Sequence, residues 1–118
     1  MSYKFENLEV WQLSLEYIDL IYQLADTFPK KEEFNLKSQI IRAGTSISLN
    51  IAEGSTSFSD GDQARYIRTA IGSLIETVAC LHLIRRRDYM VDKTLIKDIY
   101  HKSEILFRKL QSFRKSLK

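Results

Sequence analysis

LKSQIIRAGTSISLNIAEG, residues 36–54, and SDGDQARYIRTAIGSLIETVACLHL, residues 59–83, decide the fold. In the first stretch Leu36, Ile40, Ala43, Ile47, Ile51 and Gly54 recur at three- and four-residue steps, the period of a helix with one buried face. Gly44 joins that face, while Gln39, Arg42, Ser46, Asn50 and Glu53 make a polar stripe of their own. Gly54 suits the helix end, because glycine takes a left-handed closing conformation without steric penalty. In the second stretch Ile67, Ala70, Ile71, Leu74, Val78 and Leu81 form a core face, opened by a cap at Ser59 or Asp60. Small residues (Ala43, Gly44 and Ser46 on one helix, Ala70, Gly72 and Ser73 on the other) allow close backbone approach, so the two helices are expected to pair as an antiparallel hairpin.

Working outward, a helix is expected from about Leu8 to Thr27, capped by Asn7 and stopped before Pro29. Leu8, Trp11, Leu15, Ile18, Tyr22 and Ala25 form one seam on it, and Leu13, Tyr17, Leu20 and Leu24 a second. Apolar residues cover about two thirds of its circumference. A bundle helix needs one apolar stripe, so the second seam is a candidate contact with another subunit. The link from Pro29 to Glu33 reads as polar and carries no recognisable chemistry. On the C-terminal side, Asp88 to Val91 form a turn and Asp92 caps a last helix. Its seam runs through Ile96, Ile99, Ser103, Leu106, Leu110, Phe113 and Leu117. Four seams joined by short links define an all-α, antiparallel up-down-up-down four-helix bundle, one domain over residues 1–118.

Net charge is only +3, but it is unevenly spread. Residues 1–36 hold 3 basic and 7 acidic side chains, whereas residues 91–118 hold 8 basic and 3 acidic. Such a gradient favours polyanions or self-association. No apolar run reads as a membrane span, and Met1-Ser2-Tyr3-Lys4 has no secretory-signal character. The single cysteine, Cys80, fits a reducing cytoplasm and a buried packing role.

Enzyme chemistry finds little footing. There is no phosphate-cradling glycine loop, no paired metal-ligand spacing and no nucleophile motif, so neither catalysis, a metal nor a cofactor is expected. His82 and His101 read as lone surface or core-edge residues. Glu53 and Glu76 are the one candidate acid pair, but a structural polar network of Arg42, Asn50, Glu53, Ser73 and Glu76 is the favoured reading. For nucleic acid the candidates are Arg85, Arg86, Arg87, Lys93, Lys97, Arg108 and Lys115, with Tyr89 and Tyr100 as stacking neighbours. The helix macrodipole alone also accounts for the arginine cluster at a helix C-terminus. The hairpin is expected to bring these cations into one patch.

SLNIAEG (Ser48 to Gly54) followed by IGSLIET (Ile71 to Thr77) resembles the paired signature of the four-helix-bundle family of 23S rRNA intervening-sequence proteins, to which the accessory protein of diversity-generating retroelements is similar. LEVWQLSLEYIDLIYQLADTFP (Leu8 to Pro29) fits that family's first helix. The resemblance implies a ring, a homopentamer, contacting RNA or DNA and, in the retroelement relatives, a reverse transcriptase. Ser55-Thr56-Ser57 departs from the family pattern in lacking a basic residue, so phosphate contacts are expected at the helix ends and not in this loop. The reading is therefore a non-enzymatic, oligomeric accessory module for nucleic acid or nucleoprotein, with a protein-interaction scaffold as the alternative.

Overall fold

The structure, a computed structural model, describes residues 3–89 and 91–118 of the chain. Met1, Ser2 and the turn residue Met90 lie outside the described residues. Four helices, α1 (Glu9–Ala25), α2 (Leu36–Gly54), α3 (Asp60–Arg86) and α4 (Lys93–Ser116), follow one another, and no strand occurs among the described residues. Each helix packs on its sequence neighbours and α1 on α4, while the diagonal pairs stay more than 8 Å apart at Cα. The helices thus stand at the corners of a square, in a molecule 45 Å long and 23 Å across. This is the four-helix bundle that the periodicities imply.

Two sets of contacts identify its poles. At one, the Tyr89 hydroxyl of the α3–α4 turn donates to Glu32 Oε2 of the α1–α2 link at 2.6 Å. At the other, the backbone N–H of Lys118 donates to Asp60 Oδ2 at 3.0 Å, and Lys109 pairs with Glu9 at 3.2 Å. The ends of α1 and α3 therefore share the first pole, and their beginnings share the second.

Burial follows the expected faces on α2, α3 and α4, where Ile40, Ile47, Ile51, Ile67, Leu74, Ile99 and Leu110 are fully enclosed. On α1 the two-seam reading needs correction. The buried line is Val10, Ser14, Tyr17, Ile21 and Leu24, flanked by Ile18 and Ala25, while Leu15 and Tyr22 are exposed. When the apolar arc is wide its centre is buried and its margins are left outside. Tyr17 and Leu24 are consequently core residues and cannot form a subunit contact, and Leu13 and Leu20 pack against the core from its edge.

Tyr17 shows how the core satisfies a phenol. Its hydroxyl lies 2.7 Å from Thr77 Oγ1, whose own hydroxyl donates to the Leu74 carbonyl at 2.6 Å. Tyr17 is thus the donor to Thr77, and burial pushes its pKa up to about 12.

The helix ends divide. Ser59 Oγ accepts from the Asp62 N–H at 3.1 Å, and Asp92 Oδ1 accepts from Thr94 and Leu95 N–H groups, as their positions imply. Asn7 does not cap α1. It closes a 3-10 turn over Lys4–Asn7, and Phe5 from that turn meets Trp11 edge to face at 4.8 Å. Gly54 is not left-handed either, since no described glycine has positive φ. A Cβ at Gly54 would lie 2.8 Å from Tyr66 Cβ, so glycine is there for the close approach of α2 to α3. A Cβ added at Gly44 would face α1, 3.6 Å from Ile21, whereas Gly72 is exposed with nothing within 4 Å of an added Cβ. The small-residue contact between α2 and α3 therefore runs through Ser46 and Ser73 and through Gly54.

The apolar composition of α3 also has a place in the bundle. By length and composition this helix could cross a membrane, and 44% of its most apolar stretch is buried inside the bundle. Its apolar character serves the core, where Ile67, Ala70, Leu74, Leu81 and Ile84 are enclosed.

Candidate functional site

The first pole is built by three segments of polar sequence. After α1 ends, Lys30–Glu32 forms a 3-10 turn, and Glu32 is folded inward until only 6% of it is exposed. Its Oε1 accepts from Asn35 Nδ2 at 3.1 Å and from the Leu36 N–H at 3.4 Å, while Oε2 takes the Tyr89 hydroxyl. The Glu32 side chain thus does for the start of α2 what an N-cap would do, since Asn35 makes no side-chain cap bond. The Tyr89 hydroxyl, assisted by the Leu36 and Asn35 donors and the nearby Arg87 charge, holds the Glu32 carboxyl below its ordinary value against the effect of burial. The same bond raises Tyr89. Lys31 lies over the Tyr89 ring, 5.2 Å from its centroid. Sequence reading missed this clasp, because a glutamate in a charged link carries no sign that it will be enclosed.

Around the clasp lie two hollows that share Tyr89. One, about 690 Å³, is lined by Lys31, Glu32, Asn35, Leu36, Gln39, Leu83, Arg86 and Arg87. The other, about 660 Å³, lies between α3 and α4 and is lined by Leu81, His82, Arg85, Asp88, Val91, Lys93, Ile96, Lys97, Tyr100, His101 and Glu104. His82 and Tyr100 meet edge to face at 6.1 Å. Both histidines, which read as lone surface or core-edge residues, line this one cleft, and no cluster of metal-binding side chains occurs among the described residues. Asp88 begins the turn with φ 56°, the one positive φ among the described residues.

Arg85, Arg86, Arg87, Lys93 and Lys97 therefore gather at one pole, and none makes an ion pair among the described residues. Arg108 and Lys115 do not join them. At about 1.5 Å per residue, Arg108 is some 22 Å along α4 from Lys93, and Lys115 lies near the second pole. The single patch expected from the hairpin is thus two separate groups, because only the start of α4 adjoins the end of α3.

The polar network on α2 and α3 is smaller than expected. Ser73 Oγ donates to Ser46 Oγ at 2.9 Å, and Asn50 Nδ2 donates to the Ser46 carbonyl at 2.8 Å and to its hydroxyl at 3.0 Å. Arg42, Glu53 and Glu76 are exposed and outside it, with no ion pair among the described residues. Two solvated carboxylates on facing helices do not make an enclosed acid–base pair. Cys80 is buried, and burial, reinforced by Glu76, raises its thiol above the ordinary range, which disfavours the thiolate.

The fold is thus a four-helix bundle with a cation-rich pole, and neither an enclosed acid pair nor a metal cluster occurs among its described residues. Its affiliation is nevertheless plain: the chain belongs to the 23S rRNA-intervening sequence protein family, whose pattern matches residues 6–112. It is also similar to a solved structure from Bacteroides thetaiotaomicron, described as a protein of unknown function from the S23 ribosomal protein family. The two share 30% identity with a TM-score of 0.80, over 90% of this chain and 98% of that one. No curated protein matches the sequence.

Proposed function

We propose that the chain is a non-enzymatic, self-assembling accessory module that binds nucleic acid or a nucleoprotein through its first pole. The observation that carries this reading is the gathering of five cations, Arg85, Arg86, Arg87, Lys93 and Lys97, without ion-pair partners among the described residues, beside Lys31 of the link. Cations at a helix C-terminus satisfy the dipole, but those on the link and on the start of α4 have no such reason to be there. Binding of this kind is to phosphates, salt-dependent and weak in sequence preference. A cytoplasmic setting accords with the buried free thiol. Filter binding of single- and double-stranded RNA and DNA across salt tests the reading. The Arg85→Ala/Arg86→Ala/Arg87→Ala variant should lose up to about 2–3 from the salt slope, at ~0.7–0.9 per phosphate contact. Arg108→Ala/Lys115→Ala, at a distance from this pole, should bind like the native chain. Equal binding by native and triple variant would sink the assignment.

A protein-interaction scaffold has its own support in the exposed apolar side chains Leu49, Ile75 and Leu83 on the outer faces of α2 and α3. We take these residues, with bare Gly72 among them, as the face through which subunits assemble, and the ring order as five by family resemblance. Light scattering behind size exclusion should give a multiple of the 13.8 kDa subunit mass. Leu49→Lys/Ile75→Lys should shift the native assembly to monomer, and a native chain already monomeric at micromolar concentration would remove the ring.

A further inference from the structure

The cleft between α3 and α4 has features that a phosphate-binding surface alone does not require. Phosphates need exposed cations. This cleft also has an apolar floor of Leu81, Val91 and Ile96 and an aromatic wall in which Tyr100 meets His82 edge to face at 6.1 Å. Its volume of about 660 Å³ falls within the roughly 300–1,000 Å³ of small-molecule sites, whose usual make-up is an apolar lining with a few placed polar groups.

Three exposed cations line it as well. Arg85 comes from the last turn of α3, and Lys93 and Lys97 come one helical turn apart from the start of α4. Two carboxylates, Asp88 and Glu104, also line the cleft. Carboxylates repel phosphate, so their presence argues against a purely anionic occupant. They do offer acceptors to amino and hydroxyl groups. An occupant with an aromatic body, hydrogen-bond donors and a phosphate at one end matches all these walls at once.

Tyr89 supplies the exit. It lines both this cleft and the adjoining hollow, where Lys31, Arg86 and Arg87 stand. Within the second hollow the Glu32 carboxylate is engaged by Tyr89, Asn35 and the Leu36 N–H and keeps its one negative charge, against the three cations Lys31, Arg86 and Arg87. A chain whose base enters the first hollow can therefore carry its backbone past Tyr89 onto a second group of cations.

Resting on the nucleic-acid reading above, we infer that the α3–α4 cleft is a pocket for one unpaired nucleotide of a single strand, its base against the Tyr100–His82 wall and its flanking phosphates on Arg85, Lys93 and Lys97. A duplex hides its base faces within the stack and cannot present one here; a single strand can. The pole therefore binds single strands more tightly than duplexes at equal salt.

Fluorescence anisotropy of a labelled short oligoadenylate, with a labelled duplex as comparison, tests the inference on the full chain. Tyr100 is 40% exposed, so its substitution spares the core, and melting curves of each variant check that the bundle remains folded. Tyr100→Ala should weaken oligoadenylate binding about tenfold and leave duplex binding unchanged, while Tyr100→Phe retains both. Adenosine monophosphate should compete with the oligoadenylate at concentrations where inorganic phosphate does not. Unchanged single-strand binding by a folded Tyr100→Ala, with binding still lost in the triple arginine variant, overturns the pocket and leaves the basic pole standing. Equal competition by phosphate and the nucleotide also overturns the pocket. No binding of either strand form by the native chain at low salt overturns both readings.

Discussion

Gly54→Ala should destabilise the bundle by about 1–2 kcal/mol and lower its melting temperature by roughly 5–10 °C. Two effects compete at this position. Replacing glycine by alanine inside a helix normally favours folding by up to about 1 kcal/mol. Against that, the new methyl would lie 2.8 Å from Tyr66 Cβ, an atom fixed to the α3 backbone that no rotamer can move aside. Relief requires α2 and α3 to separate where Gln63 and Tyr66 pack on the end of α2, so repulsion outweighs propensity. Gly72→Ala is the control. It makes the same chemical change in a helix, with nothing within 4 Å, and should raise stability in the separated subunit. Denaturant unfolding of both variants decides the matter. A Gly54→Ala protein as stable as the native chain would show that α2 and α3 do not need this contact.

A comparable loss, on the order of 5–10 °C, is expected for Glu32→Ala. The substitution leaves the Leu36 N–H in the first turn of α2 and the Tyr89 hydroxyl without the acceptor they share. Glu32→Gln separates charge from shape and should act mainly through pH. The folded pKa of Glu32 lies below the ordinary 4.5, so the unfolded chain binds the more protons as acid is added. The contribution is fully present above about 4.5 and disappears as pH falls through the folded value. The native protein should therefore lose stability more steeply than Glu32→Gln below pH 4.5. Tyr89→Phe, which removes the bond that depresses the carboxyl most, should flatten the native acid limb as well. Superimposable acid limbs for all three proteins would mean that the clasp carries no charge-dependent stability.

Position along the helices was readable wherever burial follows period. Ile40, Ile47 and Ile51, or Ile99, Leu106 and Leu110, each repeat at the helical step and are enclosed in the core. The period fails on α1 for a definite reason: when most of the circumference is apolar, the sequence does not specify which part faces inward. Tyr17 and Leu24 therefore looked like a second surface and are part of the core. Gly54 was singled out for a left-handed end, whereas its function is to admit Tyr66. Both uses demand glycine, and only tertiary structure separates them. Arg108 and Lys115 could have been separated from Arg85 by helix rise alone, since fifteen residues of α4 stretch over about 22 Å. Glu32 was not legible at all, because its three donors come from the link, from α2 and from a turn 57 residues away.

Four rods touching only along the edges of a square form a frame that can lean into a rhombus by sliding at its corners. In this bundle α1 and α3, at opposite corners, stay apart along their backbones, yet the Tyr17 hydroxyl reaches Thr77 across the interior. A directional 2.7 Å bond along that diagonal is a brace in the engineer's sense, under tension if the frame leans one way and compressed if it leans the other. It ties α1 directly to α3, a pair of helices whose backbones do not otherwise come together.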